Sequence, residues 1–438
     1  MEEENKKVSD YEINKEEVEH GLVRVPEGLT EEQKALNLDK IKIVVGDAYE
    51  KIMEILKTYV DLREEYYPLL STWIIGTYMH REFNTFPYLF INAMRGSGKT
   101  RLLKLISSLA HNGEVISSLR EAVLFRDCKD KTICIDEFEN IMSKENQALR
   151  ELLNAGYKKG NKVKRMKRVK GVVSGVVSED YVVEEFEVYT PIAMANIWGM
   201  EEVLSDRCIT LVLEKSSNEK IMKLLEDFEQ NDDIFWCKNV LKNNLVQLCS
   251  YFLGNAYLTL WNEYIHTTYT TYTTLTTFTT PTTPTTQMTP KKLKDLETFQ
   301  KINDTGINGR NLELMFPLFL TARMIGEEPF DNMLKIAKTI TLERKGEEMT
   351  ESRDVSLIDF VSKQMNGNFI PIKLLTLQFK EFVGEDEGDE RWINSKWVGR
   401  GLKRLNLILD KTRHKNGIEV RLDISKALEK IKIFERKK

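Results

Sequence analysis

No apolar run in this 438-residue sequence is long enough to span a bilayer. The longest, "PLLSTWIIGTYM" from Pro68, has twelve residues interrupted by polar ones, against roughly 20 for a membrane helix. The N-terminus, "MEEENKK", has no apolar stretch of the kind a secretory signal needs. Only five cysteines occur (Cys128, Cys134, Cys208, Cys237 and Cys249), and no two form a CxxC pair. That argues against a zinc site and for buried thiols in a reducing compartment. The expectation is a cytoplasmic protein with no membrane partner. Charge is abundant: 64 basic against 68 acidic side chains, a net of −4. The chain is too long for one ordinary core, and about two to four domains are expected.

Composition shifts along the chain suggest where those domains lie. Residues 1–50 carry fourteen acidic and seven basic side chains, which reads as a solvated, partly helical lead-in. We place this N-terminal region at 1–66, with a helical segment at roughly 45–80. An α/β pattern follows over 67–215. "YLFIN" (Tyr88–Asn92), "ICID", "PIAMAN" and "CITLVLE" read as buried strands, and "RLLKLISSLA" as a helix. Short apolar strands alternating with helices predict a parallel sheet covered on both faces. A helical lid is expected over 216–349, and a separate C-terminal unit over 350–438. The lid is interrupted by a threonine triplet array, His266–Pro290, whose period of three fits neither a helix stripe nor strand alternation. It reads as a low-complexity insertion.

"AMRGSGKT", Ala93–Thr100, follows the first strand and opens the helix. Strand, glycine loop and helix in this order define a phosphate-binding loop for ATP. Arg95, Gly96, Ser97 and Gly98 would turn backbone N–H groups inward around the phosphates. Lys99 would reach the β- and γ-phosphates, and Thr100 would offer its hydroxyl to Mg²⁺. The helix from Arg101 points its positive end at the same anion. "ICIDEFEN" then supplies Asp136 as a second Mg²⁺ ligand and Glu137 to deprotonate the attacking water. The plain alternative, a surface Asp-Glu pair, loses weight behind a phosphate loop. Asn196, ending "PIAMAN", is placed to touch the γ-phosphate. Arg207, just before the last core strand, is placed to reach a neighbouring subunit's γ-phosphate. Arg310, at a helix start in the lid, is a candidate clamp on phosphate from above.

This order of features resembles the AAA+ ATPases. "TWIIGTYMHREFNTFPYLFINAMRGSGKTRLLKLI" with "NAGYKKG" and "LSDRCITL" more closely resembles a helicase-like ATPase family of plasmids and viruses. That family is related to superfamily 3 helicases and to minichromosome-maintenance proteins. The resemblance covers 67–215 well and the lid loosely, and it assigns functional positions to Lys99, Thr100, Asp136, Glu137, Asn196 and Arg207. Ala93, where the pattern has glycine, and the threonine insertion depart from it. The resemblance implies a homo-oligomer, a hexameric ring, with ATP hydrolysed between subunits. It also implies a β-hairpin projecting into the ring's pore from the interval between Glu137 and Asn196.

That interval holds "KKGNKVKRMKRVK", Lys158–Lys170, with eight basic residues in thirteen. Basic side chains occupy both odd and even positions, which a strand buried on one face could not hold. Lys162, Lys164, Arg165, Lys167, Arg168 and Lys170 are the candidate DNA contacts. "GVVSGVVSED" would supply the turn region and "YVVEEFE" the return strand. Glu184, Glu185 and Glu187 would neutralise some of the run, but three carboxylates fall short of eight cations.

A second basic concentration lies in "NSKWVGRGLKRLNLILDKTRHKNGIEVRLD". Asn394 or Ser395 would cap a helix with Val398, Leu402 and Leu405 on its apolar face. Lys396, Arg400 and Lys403 lie opposite, followed by Arg404. Two strands around "KNG" would then form a wing carrying Lys411, Arg413 and Lys415. Nine basic and two acidic residues between Arg391 and Arg421 favour DNA over a protein partner for this winged helix.

The sequence therefore predicts an α/β ATPase core with a helical lid and a C-terminal winged helix. The expected activity is that of an ATP- and Mg²⁺-dependent DNA helicase or translocase of a mobile element, acting on single-stranded or forked DNA. The alternatives are an ATP-switched DNA-binding initiator or regulator that assembles without unwinding, and an ATP-gated signalling protein that binds no DNA.

Overall fold

The computed structural model describes residues 31–116, 128, 130–136, 147–173, 176–196, 200–252, 260–266, 290–351, 353–364, 368–383, 393–414 and 417–435. The chain divides into two compact units, Met1–Lys338 and Thr339–Lys438. The boundary falls inside the helix Glu327–Glu351, ahead of the expected division between 349 and 350. Glu137 and the threonine array at 267–289 lie outside the described residues.

The first unit is built on a five-stranded sheet: β1 (Tyr88–Ala93), β2 (Gly113–Ile116), β3 (Thr132–Ile135), β6 (Ile192–Asn196) and β7 (Cys208–Leu213). The order is β2-β3-β6-β1-β7, and every pairing is parallel. All four residues of β3 and all five of β6 are buried, which is why they read as unbroken apolar runs. β2, "GEVI", is absent from the strands expected above. It is a half-exposed edge strand of four residues, too short and too mixed to stand out. Gly113 is obligatory at its start: a Cβ there would lie 2.1 Å from the Ser107 carbonyl oxygen.

The lead-in differs from the expected solvated segment. Residues Glu31–Tyr59 form one helix, and Ile41, Val45, Ala48, Ile52 and Leu56 on it are buried. Their spacing of three and four residues makes a stripe that packs on the helix Asp232–Phe252. The apolar run at Pro68 belongs to the helix Tyr66–Thr77, all of whose residues are buried. It packs between Glu31–Tyr59 and Gly309–Ile325. Among the described residues no helix is long and apolar enough to cross a membrane.

Between β3 and β6 the chain forms a two-stranded antiparallel hairpin, β4 (Lys162–Val173) and β5 (Val176–Glu187). It is longer than expected. Gly171–Val173 and Val176–Asp180, which sequence alone assigns to the turn, are strand, because the β-branched valines pair across it as Val172↔Val177 and Val173↔Val176.

In the second unit, helices Arg353–Ser362, Ile372–Val383, Ser395–Arg404 and Ile424–Glu435 surround a three-stranded antiparallel sheet. Its strands are β8 (Ile370–Pro371), β9 (Ile408–His414) and β10 (Gly417–Leu422), in the order β8-β10-β9. Leu357, Leu375, Phe379, Val398, Leu402, Leu407 and Val420 form its core.

Candidate functional site

Because β1, β3 and β6 run parallel, their carboxyl ends share one edge of the sheet. The loop after β1, the residue after β3 and the last residue of β6 therefore converge there, where ligands bind in open α/β sheets. Gly96 and Gly98 adopt φ of 80° and 89°. A Cβ at Gly98 would meet nothing within 4 Å, so this glycine is needed for its backbone torsion and not for space. The Ser97 N–H and hydroxyl both donate to the Met94 carbonyl, at 3.2 and 2.8 Å. The Leu102 N–H donates to the Gly98 carbonyl at 3.0 Å and starts the helix Lys99–Leu109.

The Thr100 hydroxyl donates to Asp136 Oδ2 at 2.7 Å, and Lys99 Nζ lies 3.7 Å from Asp136 Oδ1. Threonine and aspartate thus present hard oxygen donors at one point, beside a cation and a glycine loop. That donor set fits Mg²⁺ and a polyphosphate. Asn196 is 1% exposed and pairs in register with Asn92, the last residue but one of β1. Its strand separates β1 from β3, so it stands between the glycine loop and Asp136.

Arg95 is exposed on the loop. Arg101, in the first turn of the helix Lys99–Leu109, reaches the segment that follows β7. Its guanidinium donates to the carbonyls of Ile221 and Leu224, both at 2.8 Å, so it holds the segment after β7 against the helix. Beside it lies a hollow of about 210 Å³, lined by Tyr59, Asp61, Gly98, Ser216, Ile221 and Met222 among others. Asp61 accepts from the Ser216 hydroxyl at 2.7 Å, and Lys215 Cε is 3.8 Å from where a Cβ on Gly96 would sit. Sequence reasoning missed Tyr59–Asp61 and Lys215–Met222 as neighbours of the loop. Their only signal was position, at the end of the lead-in helix and just past the last strand.

Arg207 and Arg310 lie elsewhere. Arg207 immediately precedes β7, whose first residue pairs with Tyr88 at the start of β1. It therefore occupies the amino edge, roughly 20 Å from the glycine loop along the length of β1. Arg207 Nε donates to the Asn154 carbonyl at 3.0 Å, and Nη1 donates to the Val203 carbonyl. Its guanidinium lies over the Tyr157 ring, 5.2 Å from the centroid. Arg310 joins it there. Its Nη1 donates to the Tyr157 hydroxyl at 2.7 Å, its Nε pairs with Asp206 at 3.2 Å, and Nη1 also pairs with Glu313. Arg310, expected to clamp phosphate from above, thus lies beside Arg207 on Tyr157 and away from the glycine loop of its own chain.

The basic segment is more balanced than its sequence implied. Lys158 pairs with Glu313 at 3.0 Å, and Lys159 donates to the Arg81 carbonyl. Glu185 accepts from both Lys162 and Lys164 at 3.0 Å, and those lysines hold its carboxyl below the usual range. The longer return strand adds Glu179, opposite Lys170, and Asp180, opposite Val169. Residues 162–187 hold six basic and five acidic residues in sequence. Arg165, Lys167 and Arg168 lie on the same strand, opposite Glu184, Val182 and Tyr181.

In the second unit Asn394 caps the helix Ser395–Arg404, accepting from the Trp397 N–H at 2.9 Å. Val398 and Leu402 point into the core, while Lys396, Arg400 and Lys403 are exposed. Lys411 and Arg413 are exposed on β9, and Lys415 lies outside the described residues. Arg404 departs from the expected DNA face, because it makes a two-pronged pair with Asp354 at 3.2 and 2.5 Å.

A scan against family models finds none that matches this chain, and no curated protein sequence matches it.

Proposed function

We propose that this chain is an ATP- and Mg²⁺-dependent motor of the AAA+ kind that acts on DNA, a helicase or translocase of a mobile genetic element. The observation that carries this reading is the meeting of Lys99, Thr100 and Asp136 at the carboxyl edge. A phosphate loop supports Mg²⁺-nucleotide binding through this donor set, and Asn196 beside it supports contact with the γ-phosphate. Glu137, next along the chain, is the proposed base for the attacking water. Arg207, at the opposite edge of the same sheet, supports hydrolysis between subunits, since one chain's arginine is out of reach of its own loop.

The second unit supports the DNA part of the reading. Helix, strand, two helices and a hairpin fit a winged helix, and Lys396, Arg400, Lys403, Lys411 and Arg413 give it a basic, exposed surface. The hairpin supports the resemblance to ring helicases by its position and length. Its near balance of charge favours a second reading, an initiator that assembles on DNA without unwinding it. The deciding experiment measures ATP hydrolysis with and without single-stranded DNA, then unwinding of a labelled fork. Hydrolysis stimulated by DNA with strand separation supports the motor. Hydrolysis or binding without separation supports the initiator. No nucleotide binding removes both.

A further inference from the structure

The hairpin has an unusual division of charge. β4 carries six basic and no acidic side chains, and β5 carries five acidic and no basic ones. The two strands form a sheet of their own, so each has one strand neighbour among the described residues and one open edge. At its base Val163 packs against the core. Farther out, Met166 and Val183, paired across it, are 70% and 54% exposed. A two-stranded ribbon with exposed apolar pairs and open edges is marginal by itself and prone to add another strand.

We infer that the hairpin is an interface between copies of this chain, in which the basic β4 of one copy lies beside the acidic β5 of the next. Pairing two basic edges or two acidic edges would set like charges opposite one another and is disfavoured. The charge-matched contact is therefore β4 to β5. That contact is head-to-tail, the type that closes rings when the rotation allows. Hairpins pointing the same way would continue the antiparallel alternation without a break. Each basic strand would then be flanked by two acidic ones, and Met166 and Val183 would gain lateral neighbours. This interface is separate from the proposed nucleotide site and does not depend on it.

The test uses the full chain in two charge-reversed forms. One carries Glu184→Lys, Glu185→Lys and Glu187→Lys; the other carries Lys162→Glu, Lys164→Glu and Arg165→Glu. Each form alone loses the pairs within its own hairpin and also matches like edges between copies. Mixed together, the internal pairs stay broken, but every edge between alternating copies becomes complementary. Sedimentation velocity, with and without a non-hydrolysable ATP analogue, should show each form assembling at least about tenfold more weakly than the parent chain. The equimolar mixture should recover an assembly that contains both.

Parent-like assembly of either form alone would overturn the interface. So would a mixture that stays as small as its parts. Intact assembly with DNA binding abolished only in the acidic form would overturn it in favour of a strand facing nucleic acid. Binding of a fluorescent ATP analogue, measured on the same samples, reports separately on the nucleotide site at the carboxyl edge of the parallel sheet.

Discussion

Arg207 and Arg310 lie on the same aromatic ring, their guanidinium carbons 5.2 and 5.0 Å from the centre of Tyr157. They are distant in sequence, and Asp206 and Glu313 balance the second while backbone carbonyls hold the first. The two therefore differ in expected effect. Arg207→Ala should bind ATP normally and hydrolyse it roughly a thousandfold more slowly, as for removal of a trans-acting arginine. Mixed with Lys99→Ala, it should regain part of its activity, because mixed interfaces rebuild one intact site. Steady-state hydrolysis against mixing ratio checks this, and no recovery would make Arg207 a structural residue. Arg310→Ala removes partly exposed ion pairs and should cost about 1 kcal/mol in urea unfolding.

Glu137→Gln should retain ATP binding while turnover falls by roughly 10²–10⁴, the usual contribution of a positioned general base. Equilibrium binding and single-turnover hydrolysis on one preparation separate the two. Near-normal hydrolysis would remove Glu137 from the water-activating role.

His80 gives the first unit a defined acid sensitivity. It is 2% exposed, and its Nδ1 is 2.8 Å from the Thr77 carbonyl. Burial lowers its pKa from 6.5 to about 4, with Arg81 and His111 adding to the shift and the Thr77 carbonyl and Asp130 opposing it. In the unfolded chain it protonates near 6.5, so its contribution is fully present above that pH and is lost as pH falls from 6.5 towards 4. The expected loss between pH 7.5 and 4.5 is about 2–3 kcal/mol. His80→Asn keeps a donor for the Thr77 carbonyl but cannot take up the proton. It should be less stable at neutral pH and lose correspondingly less on acidification, as read by denaturant midpoints at both pH values. Identical pH dependence in both proteins would assign the effect to other groups.

Replacing Lys396, Arg400 and Lys403 together with alanine should weaken duplex binding. The salt dependence should also flatten, by roughly 0.9 in the log–log slope for each phosphate no longer neutralised. Arg404→Ala should leave that slope unchanged, since Asp354 already engages this arginine. Fluorescence anisotropy titrations at several salt concentrations measure both slopes.

Much of the carboxyl edge of the parallel sheet is legible in the sequence because its determinants are local. Gly96, Gly98 and Lys99 sit within four residues of one another, and Asp136 and Asn196 each end an apolar run. The misreadings share a different cause. Charge and position alone point Arg310 and Arg404 at phosphate, whereas Asp206 and Asp354, their partners, are supplied by segments far away in the chain. The acidic surplus of the lead-in conceals the stripe from Ile41 to Leu56, because net charge carries no periodicity. The valines beside Ser174 and Gly175 read as part of the turn they flank, although their own preference is for strand.

The opposite placement of Lys99 and Arg207 has a consequence for kinetics. Each copy would contribute to two sites and complete neither by itself. Specific activity should then fall on dilution, and one inactive copy in an assembly should silence more sites than its share of the subunits. A small admixture of Lys99→Ala chains, which keep Arg207, is therefore milder than the same admixture of chains lacking both residues. The dose-response of such mixtures counts how many copies each turnover requires.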